Sequence, residues 1–208
     1  MRIDTKYIFQ DLSTVSNNRV HVQVKKDQQV VLVLFAAVSA QYFVEVELIG
    51  KHSRADVFGV VIGKKNTQIA IQTLQKHTIG DSISDLLIKA VLFDDSRFFY
   101  QGNIRVEKKA QITNSYQRND NLLLSSGAAA ESKPGLEILA NDVRCTHGAT
   151  IGNLDPELLF YLQSRGISHQ AAQNMIVSGF FQVILDKIEN ELIKKQLQAK
   201  IFEYLPTI

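Results

Sequence analysis

Between about residue 19 and residue 141 the apolar side chains come in short runs with a period of two, and no helical stretch long enough for a crossover separates them. Val20, Val22 and Val24 alternate with polar residues, Val44, Val46 and Leu48 alternate with Glu45 and Glu47, and Val30–Phe35 is unbroken. Alternation puts successive side chains on opposite faces of a strand, and an unbroken run suits a strand that is fully buried. Further strands are expected at Val57–Ile62, Ile69–Leu74, Leu86–Leu92, Phe98–Tyr100, Ile104–Val106, Leu122–Leu124 and Leu136–Leu139, with Gly50, Gly63, Gly80, Gly102 and Gly135 marking breaks. Two-residue Asn-Gly or Asp-Gly hairpin loops are missing, and the corners are polar and of varied length. A parallel β-helix accounts for such corners as well as an antiparallel sandwich does, and without a strict internal repeat the pattern alone leaves the two tied.

The pattern changes at Asp155-Pro156. Asp155 suits a helix N-cap and Pro156 the first helical position, where its missing N–H costs nothing. This helix carries Leu158, Leu159 and Leu162 and should stop at Gly166, after which Ser168 caps a second helix. Ala172, Met175, Ile176, Gly179, Phe180, Val183 and Ile184 line one face of the second, and Leu192, Ile193, Leu197 and Ile201 one face of a third over 189–204. The reading is a β core over 1–154 and a small helical subdomain over 155–208. Packing against the end of the core is its default role, and docking a partner the alternative.

Bulk properties narrow the function. A chain of 208 residues suits one core with an appendage. With 23 basic and 21 acidic residues it lacks the strong positive field of a nucleic-acid binder. Cys145 is the only cysteine, so no internal disulfide is available, and a reducing cytoplasm fits best. The apolar stretch Val30–Val38 is too short for a membrane-spanning helix, which needs about 20 residues, and lacks the flanks of a signal peptide. No phosphate-binding glycine loop, paired-cysteine metal site or nucleophile elbow is present. Glu45 with Glu47 and Asp94 with Asp95 are carboxylate pairs of the kind a carbohydrate-active solenoid would use, but they read better as a solvent face and a turn. His21 is unremarkable in its strand, and His52, His77 and His169 read as surface residues.

Cys145 and His147 are different, because in an extended backbone residues two apart project from one face. A thiolate beside an imidazole suits a soft or borderline metal. Spacing alone favours the plainer alternative, a small buried thiol beside a turn histidine. An iron–sulfur cluster takes about four protein ligands, and one thiol cannot supply them, so any cluster held here is shared with another chain or transient.

From Phe99 to Ile167 the chain resembles the SufB/SufD family of iron–sulfur cluster assembly scaffolds. The likeness rests on Tyr100-Gln-Gly102 with Ile104-Arg-Val106, Ala110-Gln-Ile-Thr113, Tyr116-Gln117, Asn119, Asn121-Leu-Leu-Leu-Ser125, Pro134-Gly-Leu-Glu-Ile138, Ala140, Asp142-Val143, Cys145-Thr-His-Gly-Ala-Thr150, Gly152, Leu154-Asp155, Leu159-Phe-Tyr-Leu162 and Ser164-Arg-Gly-Ile167. Weaker agreement extends it to roughly residues 40 to 188. The resemblance implies a right-handed parallel β-helix with flanking helices, serving as a non-catalytic subunit. It further implies pairing with a SufB-like chain or with itself, and binding of the ABC-type ATPase SufC through the C-terminal helices, where Leu159, Phe160, Tyr161 and Arg165 lie. Cys145 and His147 match the family's Cys-Ser-His-Gly-Ala-Thr segment, with Thr146 for the usual serine, and would contribute at the pairing interface to a transient, shared cluster. Gly148 is like the SufD branch, since SufB-like members carry glutamate there. An interaction protein without a cluster role is the alternative within the family. Members usually carry a helical region before the β core, and this chain has only about 40 residues there, so it is expected to be a compact variant or to begin internally.

Overall fold

The computed structural model describes residues 4–205. Eleven strands alternate between two sheets. The six-stranded sheet holds β1 (Asp4–Asp11), β3 (Gln28–Ala36), β5 (Arg54–Gly63), β7 (Ile83–Leu92), β9 (Thr113–Leu123) and β11 (Val143–Asn153), in that order. The five-stranded sheet holds β2 (Arg19–Val24), β4 (Ala40–Leu48), β6 (Gln68–His77), β8 (Arg97–Val106) and β10 (Ala129–Ile138). Every ladder is parallel. Because consecutive strands lie in opposite sheets, the chain coils forward as a parallel solenoid, and the antiparallel sandwich is ruled out.

Its corners are built from stacked backbone. Asp27, His52, Asp81 and Ile112 all have φ between 55° and 60°, a region that costs a side-chain-bearing residue energy. Each donates its N–H to the next corner: Asp27 to Lys51 O (3.0 Å), His52 to Asp81 O (2.7 Å), Asp81 to Gln111 O (3.0 Å) and Ile112 to Asp142 O (2.6 Å). Stacking thus satisfies groups that a lone turn would leave to water.

Two apolar layers flank the six-stranded sheet. Its inner side, with Val30, Leu32, Leu34, Val57, Leu86 and Ile88, packs in the lumen against Val44, Val46, Ile69, Ile71, Phe98 and Tyr100 of the other sheet. Its outer side, with Val31, Val33, Phe35, Phe58, Val60, Leu87 and Val91, is covered by Val177, Phe181, Ile184, Ile193, Leu197 and Ile201 of the helices. Two-sided burial is why β3 and β5 read as continuous apolar runs, whereas β4 and β6, with one face open, alternate.

The helices are α1 (Pro156–Ser164), α2 (His169–Leu185) and α3 (Glu191–Tyr204). Asp155 accepts from the Glu157 and Leu158 N–H groups, Ser168 from Ala171 and Asn190 from Ile193, so each start has its cap. Gly166 follows α1 at φ 84°. The helical unit does not cap the end of the core as its default reading expected. α2 and α3 lie on the outer face of the six-stranded sheet, because that face is the apolar surface left uncovered. The inward face of α2 is Ala172, Val177, Phe181, Ile184 and Leu185, while Met175, Val183 and, on α3, Leu192 point to solvent.

Sequence periodicity also misplaced strands with a polar lumen face. β9 spans Thr113–Leu123 rather than its apolar end alone, and Thr113, Ser115, Gln117, Asn119 and Asn121 all point inward. Phe98–Tyr100 and Ile104–Val106 are one strand that runs straight through Gly102. At Gly102 the lumen leaves no room for a side chain, since a Cβ there would meet the Tyr100 hydroxyl and lie 2.7 Å from Gln117 Oε1. His77, read as a surface residue, is completely buried at the end of β6, with Nδ1 2.7 Å from Ser82 Oγ and Nε2 2.8 Å from Ser84 Oγ. Alternation along β6 was the signal that placed it inside.

Burial lowers the His77 pKa to about 4 from an ordinary 6.5, so the folded chain keeps it neutral. Between those values the unfolded chain binds a proton that the folded one refuses, and stability falls as the pH drops. Denaturant titration should find the chain about 2 kcal/mol less stable at pH 5 than at pH 7.5. His77→Gln should remove most of that difference; an unchanged slope would mean that His77 is not its source. Gly102→Ala should cost about 1–3 kcal/mol by overpacking the lumen, read as a lower denaturation midpoint.

Candidate functional site

Cys145 and His147 lie on β11, the last strand of the six-stranded sheet. In register, Cys145 stands over Ser115 and His147 over Gln117, both of which face the lumen. The pleat therefore turns Cys145 and His147 inward, on one face, some 6–7 Å apart along the strand. Cys145 is half-buried and packs beside Val143 against Ile104, Val106, Ala110 and Ala140, whereas His147 is exposed. Among the described residues no strand pairs with the free edge of β11 or of β10. The lumen is consequently open at this end. Leu136 and Ile151, whose register partners Ile104 and Asn121 are buried, are 41% and 47% exposed there.

A polar column leads inward from Cys145. Ser115 Oγ lies 2.6 Å from Ser84 Oγ, and Ser84 contacts His77 as well as Gln75 Nε2, the latter at 2.7 Å. Gln75 also donates to Tyr116 O at 3.2 Å. Gln117 Nε2 donates to Gly102 O at 3.1 Å, and the Tyr100 hydroxyl is 2.9 Å from Thr73 Oγ1. Gln75 Oε1, Gln117 Oε1, Asn121 Oδ1 and Ser132 Oγ are buried without a partner, so the lumen near this end carries unused acceptor capacity. Sequence inspection found the Cys/His pair but not this column, because its members are scattered over four strands.

Burial pushes the Cys145 thiol up, with a backbone hydrogen bond at Ser115 partly opposing. Thiolate is the form that binds metal or attacks sulfur. In the chain alone the group is thus held as thiol, and a cation or metal brought to the open end would release its proton. Among the described residues no group of three or more histidine, cysteine or acidic side chains is placed to hold a metal ion. One thiol and one imidazole are therefore what this end offers, and the remaining ligands of any iron–sulfur cluster must come from elsewhere.

The four residues singled out on the first helix lie elsewhere. β11 runs directly through Leu154 and Asp155 into α1, which contains no buried residue and packs chiefly on α2. Phe160 is 72% and Tyr161 54% exposed, Leu159 is half-buried, and the Arg165 guanidinium lies 5.3 Å from the Tyr161 ring. α1 thus presents aromatic surface to solvent. The carboxylates behave as surface groups: Glu47 accepts from Lys76 (2.9 Å) and Gln23 (3.0 Å) on the outer face of the five-stranded sheet, and these bonds hold its pKa low. None of the described helices is long and apolar enough to cross a membrane.

Residues 7–180 match the family model described as "SUF system FeS cluster assembly, SufBD core domain". The chain is 37% identical over 160 residues to the iron-sulfur cluster assembly protein SufD of Escherichia coli, an alignment covering 77% of this chain and 38% of that protein. It is 40% identical over 166 residues to a SufBD family protein of Synechocystis, covering 67% of this chain and 37% of the relative. Over 199 residues it is 29% identical to a SufBD family protein of Mycobacterium tuberculosis, covering 91% of this chain and 50% of the relative. The chain thus spans half or less of the length of these relatives.

The raised thiol pKa has a direct readout. The rate of Cys145 alkylation by iodoacetamide should follow a pH profile centred above that of a free cysteine, which ionises near about 8.5. A midpoint at or below the free value would contradict the burial of the thiol.

Proposed function

The chain belongs to the SufBD core family of iron–sulfur cluster assembly proteins, and from that premise we propose that it is a SufD-like, non-catalytic scaffold whose open solenoid end pairs with a second chain to assemble a cluster. The observation that carries the reading is the position of Cys145 and His147: lumen-facing, on an unpaired edge strand, beside exposed Leu136 and Ile151. An open edge offers backbone donors and acceptors to a second edge, and apolar lumen residues offer it a core. A cluster formed there would be cargo, held transiently by Cys145, His147 and ligands of the partner. The partner is a SufB-like chain. A second copy of this chain is the alternative that the same open end favours, since an isologous pairing presents identical edges.

α1, with Leu159, Phe160, Tyr161 and Arg165, is the proposed docking surface for a SufC-like ABC ATPase. Its support is an apolar segment none of whose residues is buried. Hydrolysis of ATP belongs to that partner, and the assembly works in the cytoplasm. For the Glu45–Glu47 pair a carbohydrate-active role is disfavoured: a general acid needs a raised pKa, and Glu47 is held low by its bonds to Lys76 and Gln23.

Mixed with a SufB-like chain and a SufC-like ATPase, the chain should co-purify as a complex, and Phe160→Asp or Tyr161→Asp should weaken the ATPase contact roughly tenfold or more. Anaerobic reconstitution of the complex should give a cluster, measured by its visible absorption, that is reduced in Cys145→Ala and His147→Ala. Full cluster content in both variants would remove the cluster role and leave a pairing protein. Sedimentation of the chain alone, dimeric or monomeric, separates self-pairing from pairing with a relative.

A further inference from the structure

The outer face of the six-stranded sheet carries a single cation that is buried, Lys89, amid the apolar layer beneath the helices; Arg54, Asp56 and Asp85, also on that face, form a separate group nearer the starts of β5 and β7. Lys89 on β7 is in register with Asp120 on β9, and Asp120 with Thr150 on β11, so the three form one row across the last three strands. Lys89 Nζ lies 3.4 Å from Asp120 Oδ2, and the two side chains are 8% and 7% exposed. Thr150 Oγ1 donates to Asp120 Oδ1 at 2.7 Å, and Arg118 Nε donates to the same oxygen at 2.9 Å. At the other end of the row Lys89 Nζ stands 3.9 Å from the centroid of the Phe180 ring on α2. A buried pair of this kind is often no better for stability than apolar residues of the same volume, and its neighbours in this layer include Leu87, Val91, Val177 and Phe181.

What such a row supplies is direction. Apolar contacts tolerate sliding, whereas hydrogen bonds and a charge over a ring fix positions. β11 needs fixing more than any other strand of its sheet beyond the first, since β9 is the only neighbour it has. β9 grips Thr150 twice, through Asp120 and through Asn121 Nδ2, which donates to Thr150 O at 3.0 Å.

We propose that Lys89 and Asp120 are positioning residues that tie the terminal strand β11, which carries Cys145 and His147, to helix α2, so that a displacement of α2 is transmitted to β11. α2 is also the element on which α1 packs, which puts the row between the aromatic surface of α1 and the open end of the solenoid. The mechanical link stands on contacts within this chain; its use, to let partner docking on the helices alter the assembly site, rests on the function proposed above.

The test needs neither partner nor cluster, so its outcome is independent of that function. Hydrogen exchange of residues 143–153 is followed by mass spectrometry in the chain as it is. Phe180→Leu keeps apolar bulk but removes the aromatic face, and should speed exchange in this segment about fivefold, whereas Phe180→Tyr, which restores that face, should leave it unchanged. In a Thr150→Val background, which cuts the row at an exposed position, Phe180→Leu should change the segment less than twofold. Equal acceleration with and without Thr150→Val would show transmission by another route. Equal effects of leucine and tyrosine at position 180 would reduce the contact to packing. Either result overturns the proposal.

Discussion

Burial of the six-stranded sheet on both faces is the constraint from which the rest of the molecule follows. A strand sealed on two sides needs a second sheet on one and a cover on the other, and here the cover is α2 and α3. Close to the sheet, Phe35 meets Tyr204 at 5.4 Å between ring centroids, and Lys200 pairs with Asp11 at 3.1 Å. The helices are therefore tied to the first turns of the solenoid as well as to the last, although they follow it in sequence. Only α1 escapes that layer, which is why its aromatic side chains remain available.

Along the solenoid axis the lumen changes character. Its first turns are lined by Val30, Leu32, Leu34, Val44 and Val46, and its last by Ser84, Thr113, Ser115, Gln117, Asn119 and Asn121. Buried polar groups demand partners, and most find them in one another: Asn121 Nδ2 donates to Asn119 Oδ1 at 2.8 Å, and Asn119 Nδ2 to Ile88 O at 3.2 Å. Cys145 is the outermost rung of this region, half-shielded by Val143 and Ala140. Its thiol is held protonated by burial, and its neighbour His147 is open to solvent. A half-formed site at an unpaired edge is the form expected of a protein whose chemistry is completed by another chain.

Much of this was legible in the sequence, and the failures among the strands share one cause. Apolar runs located β3, β5 and β7, and cap chemistry at Asp155, Ser168 and Gly166 located α1 and the start of α2. Where hydrogen bonds rather than apolar contacts hold a strand to the lumen, hydrophobic periodicity is silent: β9 was seen only at its apolar end, and β11 only as the spacing of Cys145 and His147. The face of α2 was misjudged for the opposite reason, because Met175 and Val183 are apolar yet point to solvent. Pattern alone left the solenoid tied with a sandwich, and the long motif resemblance broke the tie correctly. No sequence rule joins Lys89 to Asp120 and Thr150, which are 31 and 30 residues apart and meet only through the register of stacked turns.

The central claim is that the open end of the solenoid is a pairing surface. Hydroxyl-radical footprinting of the chain, alone and mixed with a SufB-like chain, reads it directly through side chains already exposed. Leu136 and Ile151 at the open end should be protected several-fold on mixing, with the half-buried Phe43 and Phe99 on the outer face of the five-stranded sheet unchanged. Protection of Phe43 and Phe99 with Leu136 and Ile151 still reactive would place the partner on the wrong face and contradict it.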